Sequence, residues 1–165
     1  MGLILYNSYS KKKEKFKPLS NKTVTIYTCG PTVYDYAHIG NFRAYIFSDL
    51  IHRVLRYFGY RVTLIMNITD IDDKTIRKSR EQGMSLLEYT RKYEQAFFED
   101  IRSLRILEAS RYPRATEHVS EMISLIEELS ARGHTYNADG SVYFSIKTFP
   151  AYGRLSNLDP EQLRH

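Results

Sequence analysis

The chain has 165 residues, of which 42% are apolar, and its 24 Lys and Arg against 19 Asp and Glu give a formal net charge of +5. This length and apolar fraction are enough to bury a core, and the basic balance suits an anionic partner without identifying one. No stretch approaches the roughly 18 consecutive apolar residues of a membrane span, and the apolar start is too short for a secretion signal, so we expect a cytoplasmic protein without a membrane partner.

The first predicted elements are two strands separated by a basic loop. Residues 2–7 predict a short edge strand, and the lysine-rich residues 11–18 predict a solvated loop. The β-branched run 23–28 predicts a buried strand, which Gly30 and Pro31 end directly after the only cysteine. A single cysteine excludes an internal disulfide and leaves a free thiol, a small buried residue, or one ligand of a metal that is otherwise held elsewhere.

The next segment predicts an amphipathic helix from Asn41 to about Phe58, closed by Gly59. From the helical spacing we expect a buried face made of Phe47, Leu50, Ile51, Val54, Leu55 and Phe58. The opposite, exposed face is expected to carry Arg43, Asp49, His52, Arg53 and Arg56.

Residues 60–68 predict a second strand that is covered on both faces. Strand, helix and strand together form a βαβ unit, which is right-handed with parallel strands. Ligands of open α/β sheets bind at the carboxyl ends of the strands. We therefore expect Cys29, the loop after it, and residues 67–70 to meet at one crevice.

Three more helices and a hairpin are predicted in the second half. Asp70 and Asp73 predict the start of a helix over 71–82, with Asp70 as its N-cap; a calcium loop lacks its Gly and distal Glu at the required positions. A helix over 85–107 is expected to pack its apolar stripe of Leu86, Tyr89, Tyr93, Phe97, Ile101 and Leu104.

Another helix is predicted from about Thr116 to Gly133, with inward-facing Val119, Met122, Ile123, Ile126 and Leu129. Asp139 and Gly140 favour a two-residue turn and predict a β-hairpin over 136–144. Residues 150–165 carry no capping signal or compact closing element.

The segment His38-Ile39-Gly40-Asn41 stands at the expected N-terminus of the first helix, where unpaired N–H groups and the helix dipole favour a phosphate. His38 adds a donor, and Gly40 leaves room for a flat ring. The pattern fits a nucleotide with its base near Gly40 and its α-phosphate near His38 and Asn41. The alternative is a capped helix whose histidine only packs.

Residues 29–41 and 67–74 closely resemble the cysteinyl-tRNA synthetase family, and the similarity continues through 113–116 and 152–156. The resemblance implies an α/β fold: residues 1–112 as the first half of the Rossmann-like class I nucleotide-binding domain, with parallel strands. Residues 113–165 are then the truncated start of an α+β connective insertion.

The resemblance also implies a reaction: L-cysteine is activated with ATP and Mg²⁺ to cysteinyl adenylate, and the cysteinyl group passes to the 3′ end of tRNA(Cys). His38 and Asn41 match the first and last positions of the family's HIGH signature, and Gly30 and Gly40 are expected to border the ATP. Asn41 stands where histidine is usual; its amide donates a hydrogen bond but carries no charge.

Cys29 matches a ligand of the family's Zn²⁺, one ion per complete protein, in a site that binds the thiolate of the substrate cysteine. The alternative for Cys29 is a buried thiol. The remaining family ligands are a Cys, a His and a Glu, and none of the other four histidines fits their context: His52, His118, His134 and His165. Thr69 matches a residue that contacts the amino acid, and capping the following helix is its alternative role.

No Lys-Met-Ser-Lys-Ser signature and no anticodon-binding region follow, so we expect an amino-terminal fragment of a monomeric enzyme that is inactive by itself. Three other classes stay open. They are a mycothiol-type cysteine ligase that shares the adenylation half, a nucleotidyltransferase with an H-x-G-H loop, and a nucleotide- or RNA-binding module without chemistry.

Overall fold

The computed structural model describes residues 2–156, which form two compact units: Pro18–Val119, and the residues before Pro18 together with those from Ser120 onward. The predicted division after residue 112 stays a prediction, and residues 157–165 of the predicted connective region lie outside the described part. In chain order the elements are β1 (Ile4–Asn7), β2 (Lys12–Lys15), β3 (Thr23–Thr28), α1 (Ile39–Tyr57), β4 (Arg61–Met66), α2 (Asp73–Glu81), α3 (Leu86–Ser103), α4 (Val119–Ala131), β5 (Thr135–Ala138) and β6 (Ser141–Phe144).

The predicted βαβ unit is confirmed. Strands β3 and β4 pair in parallel, from Thr23 opposite Arg61 to Thr28 opposite Met66, and α1 connects them. On its other edge β4 contacts the extended segment 110–115, where Met66 N donates to Arg111 O at 3.1 Å. On β4 Leu64 and Met66 are buried, and Thr63 and Ile65 between them are half-buried, so this central strand is covered more completely on one face than on the other.

Helix α3 places four apolar side chains in the core beside this sheet. Of its predicted stripe, Tyr89, Tyr93, Phe97 and Ile101 are buried, whereas Leu104 is 47% exposed because the helix ends at Ser103. The rings of Phe97 and Tyr45 meet edge to face with centroids 5.3 Å apart. Burying side chains of this size stabilises a fold by about 1.5–3 kcal/mol each.

The predicted buried face of α1 is wrong in part, since Leu55 is buried as expected but several of the other residues are not. Phe47 and Leu50 are 61% and 54% exposed, and the buried residues are Tyr45, Asp49, His52 and Leu55. A buried carboxylate needs hydrogen bonds, and Asp49 accepts them from Leu107 N at 3.1 Å and from Arg53 Nε at 2.8 Å. The bond from Leu107 N orients α1 so that Asp49 lies against the segment after α3. The same burial lowers the pKa of His52, which is therefore neutral at pH 7.

The acidic run before α2 caps that helix, but Asp72 is the cap and not Asp70. The Asp72 carboxylate accepts from Thr75 N at 2.8 Å, and Thr75 Oγ1 accepts from Asp72 N at 2.8 Å. Asp70 is buried and accepts from Thr116 N at 2.9 Å, so it joins the loop before α4 to the end of β4. Gly83 has a φ of +64° and lies just beyond the helix, as predicted.

The second unit holds two antiparallel hairpins and most of α4. The hairpin with the Asp139-Gly140 turn is confirmed, and both turn residues have positive φ. The loop predicted over 11–18 is wrong in part, because Lys12–Lys15 forms β2 and pairs with β1. The inward face predicted for α4 is wrong for most of its residues: Val119, Met122, Ile126 and Ile123 are exposed, the last at 51%, whereas Leu129 is half-buried.

The segment 113–116 fastens the sheet to α3 through an ion pair. Glu94 on α3 is 8% exposed, and Arg114 Nε donates to its carboxylate at 3.0 Å. This contact raises the pKa of Arg114 above its ordinary value.

We expect Arg114→Met to lower the free energy of unfolding by about 2 kcal/mol, because it leaves the Glu94 carboxylate buried without its partner. In a double-mutant cycle, Glu94→Gln should recover part of this loss, with a coupling energy of about 1–2 kcal/mol in urea denaturation. Arg132→Met, which removes an exposed pair with Glu128, is the matched control and should cost no more than about 0.5 kcal/mol. If the effects of Arg114→Met and Glu94→Gln on the free energy of unfolding simply add in the double variant, the ion pair does not stabilise the fold.

Candidate functional site

A cavity of about 260 Å³ lies at the carboxyl end of β3, in the expected crevice. The loop between β3 and α1 forms one wall, and α1, α2 and α3 contribute the rest. Its lining residues are Gly30, Pro31, Thr32, Val33, Tyr34, Asp35, Tyr36, Ala37, His38, Asn41, Tyr45, Lys74, Tyr93 and Phe97.

The parallel pairing of β3 and β4 changes register at this edge of the cavity. Thr28 lies opposite Met66, but Thr32 bridges to Thr69, so the first segment contains one residue more than the second. Such an insertion is a β-bulge, which re-aims the side chains around it. Beyond it the segments remain bonded, with Thr69 N donating to Pro31 O at 2.9 Å.

Gly30 lies inside this bulge and has no room for a side chain. A Cβ at this position would stand 1.9 Å from the backbone oxygen of Asn67 and 2.8 Å from Cγ of Met66. The Gly30 N–H donates instead to the Asn67 side-chain oxygen, at 3.2 Å. Glycine is required here because two backbones approach each other.

His38 and Asn41 cap α1 and also line the cavity. The Nδ1 atom of His38 accepts from Gly40 N at 3.1 Å, and the Asn41 Oδ1 atom accepts from His38 N at 3.0 Å. A neutral imidazole that accepts at Nδ1 carries its proton on Nε2. The capping role and the phosphate role are therefore compatible, since His38 Nε2–H and the Asn41 amide N–H groups are not used by the cap.

Cys29 is exposed at the end of β3, next to Gly30. Burial, with a smaller electrostatic contribution from Cys29, raises the pKa of Tyr45 to about 12. Among residues 2–156 no three His, Cys, Asp or Glu side chains are grouped to hold a metal ion. One thiolate does not fit a complete zinc site, so Cys29 supplies at most one ligand.

The structure thus brings Gly30, His38 and Asn41 to the cavity wall. Gly40 lies in the first turn of α1, and a Cβ there would meet only the His38 ring, with Cε1 at 2.9 Å. Thr69 lies beside the wall, because its backbone oxygen accepts from Val33 N at 3.1 Å.

Lys74 is a cavity residue that the sequence patterns did not indicate. Its Nζ atom lies 5.0 Å from the centroid of the Tyr34 ring, as does that of Lys78. Lys78 also donates to Asp35 at 2.8 Å and so lowers the pKa of that carboxyl. The four-residue spacing of Lys74 and Lys78 indicates that both lie on one face of α2. Only the packing of α2 against the loop after β3 brings that face to the cavity.

The chain matches the family described as tRNA synthetases class I (C) catalytic domain over residues 15–165. Three curated relatives are each named Cysteine--tRNA ligase: those of Brachyspira hyodysenteriae, 59% identical over 161 residues, Chlamydia muridarum, 54% over 165, and Methanosarcina mazei, 52% over 162. The alignments cover 98–99% of this chain. The chain spans 34% of the length of each of these relatives.

Two solved structures share the fold at low sequence identity. Both are methionyl-tRNA synthetases of Mycobacterium tuberculosis with methionyl-adenylate. One has a TM-score of 0.61 at 19% identity and covers 74% of this chain and 28% of that one; the other has 0.59 at 20%, covering 78% and 29%. The predicted α/β class I synthetase fold is therefore confirmed.

We expect Gly30→Ala to lower the free energy of unfolding by about 2–3 kcal/mol, because its methyl group would displace a backbone carbonyl. Gly40→Ala is the matched control: the atoms that it meets belong to a movable side chain, and alanine favours a helix by about 0.5–1 kcal/mol over glycine. Urea denaturation of both variants checks this difference. Equal losses of stability would contradict the backbone contact at Gly30.

Proposed function

Because the chain belongs to the class I tRNA synthetase (C) catalytic-domain family, we propose that its protein activates L-cysteine with ATP and then charges tRNA(Cys). The name shared by relatives at 52–59% identity supports this substrate, and it favours tRNA charging over a mycothiol-type ligase, a nucleotidyltransferase or a module without chemistry. The activity is proposed for the full-length protein, since the relatives are about three times as long.

The observation that carries the proposal is the cavity at the carboxyl end of β3, with the capped N-terminus of α1 in its wall. The cap pairs backbone N–H groups of the first turn but leaves the side-chain donors of His38 and Asn41 free at the start of α1, where the dipole of 19 residues favours an anion. Lys74 brings a positive charge to the same cavity. An α-phosphate beside His38 and Asn41 would therefore meet several preorganised donors.

In the first step a carboxylate oxygen of cysteine attacks the α-phosphorus of ATP. The bond from phosphorus to the bridging oxygen breaks, and pyrophosphate leaves with that electron pair. We assign His38 Nε2–H and the Asn41 amide as donors to the α-phosphate oxygens, where negative charge builds in the transition state. Mg²⁺ bound to the phosphates of ATP would offset part of their negative charge.

In the second step a ribose hydroxyl at the 3′ end of tRNA(Cys) attacks the carbonyl carbon of the adenylate, and AMP leaves. We assign the binding of the substrate cysteine to Cys29 and Thr69 at the strand ends. Gly30 and Gly40 are assigned to border the nucleotide. Cys29 is proposed as one zinc ligand, with the other ligands outside residues 2–156, and no step is assigned to the metal.

We further propose that the protein works in the cytoplasm as a monomer. No helix within residues 2–156 combines the length and the apolar character needed to cross a membrane.

In the full-length protein, His38→Ala is expected to reduce cysteine-dependent pyrophosphate exchange by about 10²–10³-fold, as loss of a preorganised donor does. His38→Ser separates the two roles of this residue, because serine is a good N-cap but its hydroxyl is too short to replace Nε2–H. Both variants should therefore be slow. Normal exchange in His38→Ser would mean that the residue only caps α1.

Cys29→Ser is expected to lower the zinc content of the full-length protein, measured by metal analysis after dialysis, because a hydroxyl is a poor replacement for a thiolate ligand. Ser8→Ala, an exposed change in the turn between β1 and β2, serves as the control and should leave the zinc content unchanged. Unaltered zinc in Cys29→Ser would remove Cys29 from the metal site.

A further inference from the structure

Asn67 lies immediately after β4 and joins three residues of the strand ends through its side-chain amide. The amide oxygen accepts from Gly30 N at 3.2 Å and from Tyr27 Oη at 3.0 Å. The amide nitrogen donates to Thr69 Oγ1 at 3.2 Å. The Asn67 side chain thus provides an acceptor for the Gly30 N–H, which has no backbone partner in the bulge.

The orientation of this amide follows from its partners. A backbone N–H can only donate, so the amide oxygen must face Gly30. The NH₂ group must then face Thr69, whose hydroxyl oxygen accepts from it. The backbone of Thr69 is held as well, since its N–H donates to Pro31 O and its oxygen accepts from Val33 N.

The proton of the Thr69 hydroxyl is therefore free to be donated. Among residues 2–156, no acceptor takes it, and Thr69 is half-buried beside the loop that lines the cavity. A hydroxyl that already accepts one bond and is held on both backbone sides can offer its proton in few directions. A hydrogen-bond acceptor next to Thr69 can therefore take this proton, while the second lone pair of the hydroxyl oxygen stays available to a donor.

We propose that Asn67 is a positioning residue, which orients the Thr69 hydroxyl as a donor to the substrate cysteine. This inference rests on the proposed function, in which Thr69 contacts the amino acid. The recognised group is an acceptor, the carboxylate or the thiolate, because the ammonium group of cysteine has no lone pair to receive the proton. Asn67 itself does not touch the substrate.

Asn67→Asp tests this assignment with almost no change of shape. One carboxylate oxygen still accepts from Gly30 and Tyr27, but the other oxygen is now an acceptor where the NH₂ group was a donor. The Thr69 hydroxyl then donates to the Asp carboxylate and no longer donates to the substrate.

In the full-length protein the KM for cysteine in pyrophosphate exchange should rise about 10- to 100-fold, the cost of one unmade hydrogen bond. The KM for ATP should stay within about twofold of the wild-type value, because the Asp carboxylate still accepts from Gly30 N as the amide oxygen does.

A double-mutant cycle with Thr69→Val separates the loss of the Thr69 donor from the effect of the negative charge that Asn67→Asp introduces. If Asn67 acts through Thr69, Asn67→Asp raises the KM for cysteine no further in a Thr69→Val background. The same rise in both backgrounds would assign the effect to charge and overturn the inference. Thr69→Ser keeps the hydroxyl and should regain most of the cysteine binding that Thr69→Val loses.

The remaining outcomes are also decisive. If Asn67→Asp does not fold, the Thr69 variants carry the test: a normal KM for cysteine in Thr69→Val overturns the inference, and a raised KM restored by Thr69→Ser supports the donor. An unchanged KM in folded Asn67→Asp overturns it while leaving tRNA charging intact. Only a wild-type protein without cysteine-dependent exchange would refute the proposed function itself.

Discussion

The close approach of Gly30 to the backbone of Asn67 is the contact on which the site depends. Where β3 and β4 end, one extra residue enters the first segment, and the two backbones come too near for any Cβ. The Asn67 amide then satisfies the N–H that the bulge leaves without a strand partner. Cys29 on one side and Thr69 on the other are held by this junction, so two sequence segments about forty residues apart form one wall.

The second constraint is the cap of α1, where folding and the proposed chemistry use different atoms of the same side chains. The Nδ1 atom of His38 accepts a cap hydrogen bond, which leaves Nε2–H free to donate. The amide oxygen of Asn41 accepts the other cap bond, which leaves its NH₂ group free. Asn41 is thus suited to the cap, because its amide oxygen accepts from the backbone N–H of His38. The cap orients both remaining donors, which is what preorganisation requires.

Two errors of the sequence-based predictions share one cause. On α1, helical spacing alone favours a buried face that includes Phe47 and Leu50. The structure instead buries the face with Asp49, whose carboxylate accepts from the backbone N–H of Leu107, a partner 58 residues away. Asp70 was predicted to cap α2 for the same reason: its actual partner, Thr116, is invisible to a local pattern.

The sequence by itself determined the strand–helix–strand order, the loop at Gly30, the capped start of α1 and the resemblance to a synthetase family, because propensity, periodicity and motif spacing act over a few residues. Only the tertiary structure decided which face of α1 is buried, that Lys74 lines the cavity, and that Asn67 joins Gly30 to Thr69. These outcomes depend on hydrogen-bond partners and packing surfaces that come together only when the strands are paired, and no local pattern encodes which distant group will satisfy a buried donor or acceptor.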